Sequence, residues 1–369
     1  MRTTTSPPQA YPLPYPPARN GSVPDHREPP RARALPHARR GAVYMRPGWK
    51  PELEPELAAR FRVPFEVAGP EDAPVLVAMG GISANRHVAA NAEDRSEGWW
   101  RKIVGPGLAI DSREWRVLGI DFIGAPGTIE PLGRDGSRTQ FHITPGDQAD
   151  AVVAVLDHLG EQKVHRAVGA SYGGNAALAL GIRYPARAEG VVVIAAAHRP
   201  HPLGTGVRSV QRAILEFARD QGREADGVAI ARALAFTTYK TDAGLDARFP
   251  FEADLSSGKP VHPVDHYLWK RGRAFAGRFD ARTYLTLCAS IDLCDLQPEE
   301  LTVPSWLIAW EEDRSVPLWL VEEMHRRTGA RSRLRTLHSD GGHDAFLLHA
   351  PEYQSVLRES LELSVGQEA

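Results

Sequence analysis

The chain has 369 residues, 42% hydrophobic and 24% charged, which is ordinary globular composition with enough apolar material for a large core. A net charge of −2 argues against nucleic acid or an anionic membrane as the main partner. No apolar run approaches the roughly 18 residues of a membrane span and no signal-peptide core is visible, so a cytoplasmic location is expected.

The first 45 residues interleave prolines such as Pro7, Pro8, Pro29 and Pro30 with Arg19, Arg27, Arg31 and Arg33. Such a segment cannot bury enough apolar surface to offset its ordering entropy, and residues 1–45 are expected to be a disordered tail. Folded structure is expected from near Val43. Phe61 to Ala68, Val75 to Met79 and Arg116 to Phe122 read as early strands, and Gln148 to Leu159 as an amphipathic helix. The apolar run Val164 to Val168 leads into the pentapeptide Gly169-Ala170-Ser171-Tyr172-Gly173, and an Ala/Leu-rich helix follows to Arg183. Val191 to Ala195 restarts the sheet. From about 200 to 295 the pattern is mainly helical, and Cys288 and Cys294 there read as reduced core thiols. Pro304 to Trp310 and Leu334 to Leu337 read as late strands. Strands alternating with helices imply a mostly parallel sheet covered on both faces over 46–199 and 296–369, with a helical lid inserted at 200–295.

The pentapeptide is the most informative feature. G-x-S-x-G between strand and helix describes a nucleophile elbow, in which small residues let neighbouring backbone approach and the serine hydroxyl stands at the carboxyl end of the sheet. The plainer alternative is a glycine-rich turn with an idle serine. A serine needs a base and an orienting carboxylate, and in hydrolase-type order these follow it, acid first. Asp313 ends the late strand in Glu311-Glu312-Asp313-Arg314 and has a loop to project from, although Glu311 and Glu312 compete. His343 sits in the glycine-bearing loop Ser339-Asp-Gly-Gly-His343-Asp344, with His338 as a rival better suited to a structural role. A metal reading of the two histidines lacks a third ligand cluster and helical spacing, so no metal is expected. Backbone amides of Tyr172 and near Gly81 are the expected oxyanion donors.

Several further segments, in order, resemble the homoserine O-acyltransferase family of α/β hydrolases. Ala229-Ile-Ala-Arg232 followed by Thr-Thr-Tyr239-Lys240, Val264-Asp-His-Tyr-Leu268, Arg278-Phe-Asp280 to Tyr284, and His343-Asp344-Ala-Phe346-Leu carry the likeness over about Val75 to Glu352. His266 stands where many relatives have serine. The loop Met79-Gly-Gly-Ile-Ser83-Ala-Asn-Arg-His87 is similar to the branch that uses succinyl rather than acetyl groups. The resemblance implies a homodimeric enzyme early in methionine biosynthesis, with L-homoserine and succinyl-CoA (or acetyl-CoA) as substrates and no bound cofactor. It implies that Arg232 holds the acceptor carboxylate and Asp344 its ammonium. The plainer alternatives are a solvated lid arginine and a loop carboxylate hydrogen-bonded to local amides. Arg314, next to the proposed acid, is expected to anchor the donor's carboxylate, against the alternative of a surface pair with Glu311 or Glu312. L-serine as acceptor, a serine esterase on the same fold, and a catalytically idle binding protein are the competing functions.

Overall fold

The structure, a computed structural model, describes residues 37–57, 59–131 and 141–362. Nine strands in these residues form one sheet, ordered β1 (Ala38–Tyr44), β2 (Ala59–Ala68), β4 (Arg116–Ile120), β3 (Val75–Met79), β6 (Arg166–Ala170), β7 (Val191–Ile194), β8 (Ser305–Trp310) and β9 (Ser332–Leu337), with β5 (Ile129–Pro131) also on β2. The strands from β4 to β9 are parallel, and β2 joins antiparallel to β1 and β4.

After their first residues, Arg116, Arg166 and Ser305 among them, the central strands are apolar because both faces are covered. Val75, Val77 and Met79 of β3 face the layer holding α1 (Pro145–Leu159), α2 (Tyr172–Arg183) and α8 (Leu318–Thr328). Leu76 and Ala78 face the layer holding Trp100, Ile103 and α9 (Pro351–Glu362). α1 begins with a capping box on Thr144 and Asp147, and Gly160 ends it in the left-handed region at φ 76°. Burial raises the Asp147 carboxyl to about 6, against the amides of Thr144 and Glu52 that favour its charged form.

One expectation is corrected here. Residues 38–44, assigned above to a disordered tail, form strand β1, paired residue for residue with β2. The pairing is stabilised by contacts distant in sequence: Arg40 Nε donates to buried Glu66 at 2.5 Å, and Gly41 lies against the Phe65 ring, where a Cβ would meet a ring carbon at 2.5 Å. Residues 1–36 of that expected tail lie outside the described residues.

Five helices stand between β7 and β8: α3 (Pro202–Asp220), α4 (Glu224–Tyr239), α5 (Asp242–Asp246), α6 (Pro263–Ala276) and α7 (Ala281–Asp292). They are not one kind of element. α3 exposes much of its surface and α6 is mostly half-buried, whereas Tyr284, Leu285, Leu287 and Cys288 of α7 belong to the main core cluster. Both cysteines are buried and unpaired, and burial pushes each thiol up to about 12.

Candidate active site

Ser171 caps α2 at φ 55° and ψ −124°, a conformation that non-glycine residues rarely adopt. Close packing around the turn holds it there. A Cβ on Gly169 would lie 2.0 Å from the Gly173 carbonyl oxygen, and one on Gly173 would lie 2.3 Å from that of Met79. The glycines at both ends of the motif are therefore required by backbone contact. Ser171 N–H donates to the Ile194 carbonyl at 2.8 Å, which fixes the turn to β7.

Ser171, His343 and Asp313 form a hydrogen-bonded chain. Ser171 Oγ is 2.9 Å from His343 Nε2, and His343 Nδ1 is 2.7 Å from Asp313 Oδ2. The second carboxylate oxygen of Asp313 accepts the amides of Ser315 and Val316 at 2.8 and 2.9 Å, so the carboxylate is held on both sides. Burial disfavours the His343 imidazolium, but the charge and hydrogen bond of Asp313 outweigh it and the His343 pKa is raised. Asp344 adds to the rise and Arg208 opposes it.

The rival residues lie elsewhere. His338 is exposed and paired with Glu312 and Glu311 at 3.1 and 3.3 Å, and Glu312 also accepts the Ser339 amide. The hydrogen bond to Glu312 raises the His338 pKa.

The amides at the start of α2 divide their partners. Gly173 N–H donates to the Gly80 carbonyl and Gly174 N–H to Ser171, each at 2.8 Å, whereas the Tyr172 amide opens the helix, where amides have no intrahelical acceptor. Gly81 lies against the serine: a Cβ on it would be 3.9 Å from Ser171 Oγ. The Tyr172 side chain turns into the core, where its hydroxyl meets Ser290 Oγ of α7 at 2.7 Å and accepts from Gln148 at 3.0 Å.

These groups open onto a cavity of about 1130 Å³ lined also by Arg232, Asp344 and Arg314. Twelve lysines and arginines line it against four aspartates and glutamates, so it favours an anionic occupant. Arg232, on α4, is boxed by Phe236, Phe275 and Tyr239, with its guanidinium carbon 4.7, 4.4 and 5.4 Å from the ring centroids. Its Nε is buried without a hydrogen-bond partner, and no carboxylate pairs with it among the described residues.

Asp344 forms an ion pair at 3.0 Å with Lys240, which follows α4. Sequence reasoning passed over this lysine, although it stands within the quoted Thr-Thr-Tyr-Lys segment. Arg314 is paired at 2.8 Å with Asp242 of α5, not with Glu311 or Glu312. Its side chain is 48% exposed. The end of α4 touches the histidine loop directly: the Tyr239 and His343 ring centroids are 5.5 Å apart.

The chain is similar to known proteins in sequence and in fold. The family described as the alpha/beta hydrolase fold matches residues 74–350. A homoserine O-succinyltransferase of Xanthomonas campestris pv. campestris is 36% identical over 301 residues, covering 82% of this chain and 79% of that protein. A serine O-succinyltransferase of Litchfieldella anticariensis is 30% identical, covering 83% and 93%. The crystal structure of a homoserine O-acetyltransferase from Bacillus anthracis superposes with a TM-score of 0.75 at 15% identity, covering 90% and 99%, a likeness of fold. The chain belongs to the homoserine O-acyltransferase family of α/β hydrolases, a family of acyltransferases.

Proposed function

We propose that this enzyme transfers an acyl group from an acyl-CoA, succinyl-CoA by preference, to the hydroxyl of L-homoserine, a step of methionine biosynthesis. The observation that carries the reading is a serine–histidine–aspartate chain whose serine and histidine line one cavity with Arg232, an arginine without a carboxylate partner among the described residues, and with a carboxylate, Asp344. A plain esterase needs the chain alone. An enzyme that must hold both ends of an amino acid needs the other two groups as well.

The chemistry proceeds in two halves. Ser171 Oγ attacks the thioester carbonyl carbon while His343 Nε2 takes its proton, and Asp313 stabilises the imidazolium. The oxyanion is met by the Tyr172 amide and one near Gly81. As the carbon–sulfur bond breaks, His343 returns the proton to the departing thiolate. The acceptor hydroxyl then attacks the acyl-serine, its proton passes to His343, and Ser171 leaves with that proton restored. Water must be excluded meanwhile, a task suited to α3, α4 and α6. Arg232 offers a guanidinium fork to the acceptor carboxylate, and Asp344 receives the ammonium.

The cationic lining suits the phosphates of coenzyme A and a dicarboxylic acyl group. An exposed apolar stripe supports the homodimer that the resemblance implies. Leu203, Gly206, Val210, Ala213 and Phe217 of α3 are all exposed and follow heptad spacing, and Phe217 is 72% exposed. A second copy covering this stripe is the oligomer we expect, and Phe217→Glu should shift it to monomer in sedimentation.

The deciding assay mixes purified protein with succinyl-CoA or acetyl-CoA, with and without L-homoserine or L-serine, and follows thiol release. Homoserine-dependent release supports transfer. Release independent of any acceptor makes the protein a hydrolase, and serine-dependent release changes the acceptor.

A further inference from the structure

The cavity holds one cation whose charge is only half balanced. Arg208, on α3, lines it, and its Nε and Nη2 lie 2.7 and 2.6 Å from Asp292 Oδ1 on α7. The other oxygen of Asp292 takes Arg212 at 2.5 Å. Two guanidiniums share one carboxylate, so the cluster keeps a net positive charge. Arg208 is the member that faces the cavity, and its side chain is 15% exposed. Its Nη1 makes no hydrogen bond among the described residues. Gly204 leaves space for it, since a Cβ there would come within 3.2 Å of Nη1.

A partly desolvated cation with a free donor edge is completed by an anionic ligand. Its field reaches the catalytic base: the Arg208 charge acts on His343, as it does on nearby Tyr239 and Cys288.

Three anionic groups enter the cavity in the reaction proposed above. The coenzyme phosphates are a whole pantetheine arm from the thioester, whereas Arg208 lies near enough to His343 for its charge to act on that imidazole. The acceptor carboxylate has Arg232, which is boxed by aromatic rings and has no carboxylate partner among the described residues. The distal carboxylate of a dicarboxylic acyl group is tied to the carbonyl by a short chain, and it is the anion left. Arg314 is less suited to it, being half-exposed and already paired with Asp242.

We propose that Arg208, rather than Arg314, receives the distal carboxylate of the acyl donor and sets the preference for a dicarboxylic acyl group. The assignment rests on the acyltransferase reading, with Ser171 as the acylated residue.

The test compares kcat/KM for succinyl-CoA and acetyl-CoA at saturating homoserine in the full-length enzyme, in Arg208→Leu and in Arg314→Leu. Asp292 keeps Arg212 when Arg208 is removed, so no buried carboxylate is orphaned and the variant is expected to fold. Arg208→Leu should lower the succinyl-CoA value by about ten- to several-hundredfold, the scale of a lost charge-assisted bond, with acetyl-CoA within about threefold of the original. Arg314→Leu should change both donors alike. If Arg208→Leu loses its circular dichroism signature, Arg208→Gln, which can still donate to Asp292, carries the same comparison. Equal loss with both donors, no loss with either, a donor preference that moves only in Arg314→Leu, or an unaltered enzyme preferring acetyl-CoA would each overturn the assignment. Absence of homoserine-dependent thiol release from the unaltered enzyme with every donor is a different result: it would overturn the function proposed above and this assignment with it.

Discussion

Asp313 holds His343 from behind while itself held by the backbone. One of its oxygens is 2.7 Å from His343 Nδ1, and the other accepts two amides, from Ser315 and Val316. This fixes which oxygen faces the imidazole, and it makes the carboxylate an orienting group as well as a counter-charge. Asp313→Asn would keep the amide contacts through its remaining oxygen and turn an NH₂ toward Nδ1. That forces the proton onto Nε2, the atom facing Ser171. The fold should survive, and acyl-CoA-dependent thiol release should fall by roughly 10³–10⁴. Unchanged turnover with normal circular dichroism would remove Asp313 from the proposed triad.

The raised pKa of His343 gives a pH profile with a definite sign. Reaction needs the neutral imidazole, so kcat/KM for the acyl donor should fall on acidification, through an acid limb above the ordinary histidine value of about 6.5. Stability follows the opposite course. A group whose folded pKa is raised stabilises the protein fully below its unfolded pKa, and the contribution is lost as pH rises through the folded value. The Tm difference between the enzyme and His343→Gln should therefore be larger below the ordinary histidine value than above the raised one. A Tm difference that grows with pH would contradict the direction of the shift.

Ser171 occupies a backbone conformation suited to glycine, and this separates two variants that both lack a nucleophile. The strain at φ 55° and ψ −124° costs about 1–3 kcal/mol. Glycine relieves it at an entropic loss of about 0.4–1 kcal/mol in the unfolded chain. Ser171→Gly should thus be more stable than Ser171→Ala by roughly 1 kcal/mol, with both inactive. Equal denaturant midpoints for the two would show that the turn stores no strain.

These relationships differ in how far the sequence discloses them. The elbow is legible because its five residues are consecutive, although only Gly169 follows from backbone contact within the turn and Gly173 is required by the Met79 carbonyl of β3. Asp313 stands among three consecutive acids, and the choice depends on a turn in which Ser315 and Val316 donate to it. Strand β1 is hidden by a Pro/Arg-rich context, because Arg40 finds Glu66 and Gly41 finds Phe65 only once β2 is paired. Periodicity likewise does not distinguish the core helix α7 from the more exposed helices before it in the chain. Arg208 was passed over for the same reason: its partner Asp292 lies on another helix, 84 residues along the chain.

The ion pair between Lys240 and Asp344 sharpens the expectation for the acceptor site. Asp344 here already faces one ammonium, that of Lys240 at 3.0 Å, and the acceptor would bring a second. Asp344→Asn removes the only negative charge of the pair and leaves Lys240 facing the incoming ammonium, so the loss combines a missing attraction with a new repulsion. Homoserine kcat/KM should fall by about two orders of magnitude or more, the scale of breaking a buried charge contact, while formation of the acyl-serine changes little. Lys240→Met in the same background should recover part of that loss, because it removes the repulsion. Arg232→Ala should damage the acceptor step in the same way, with no rescue from Lys240→Met, since Arg232 holds the other end of the amino acid. Burst kinetics with succinyl-CoA alone, followed by addition of homoserine, separates the two half-reactions. Additive losses in the Lys240/Asp344 pair, or rescue of Arg232→Ala by Lys240→Met, would show that the acceptor ammonium binds away from Asp344.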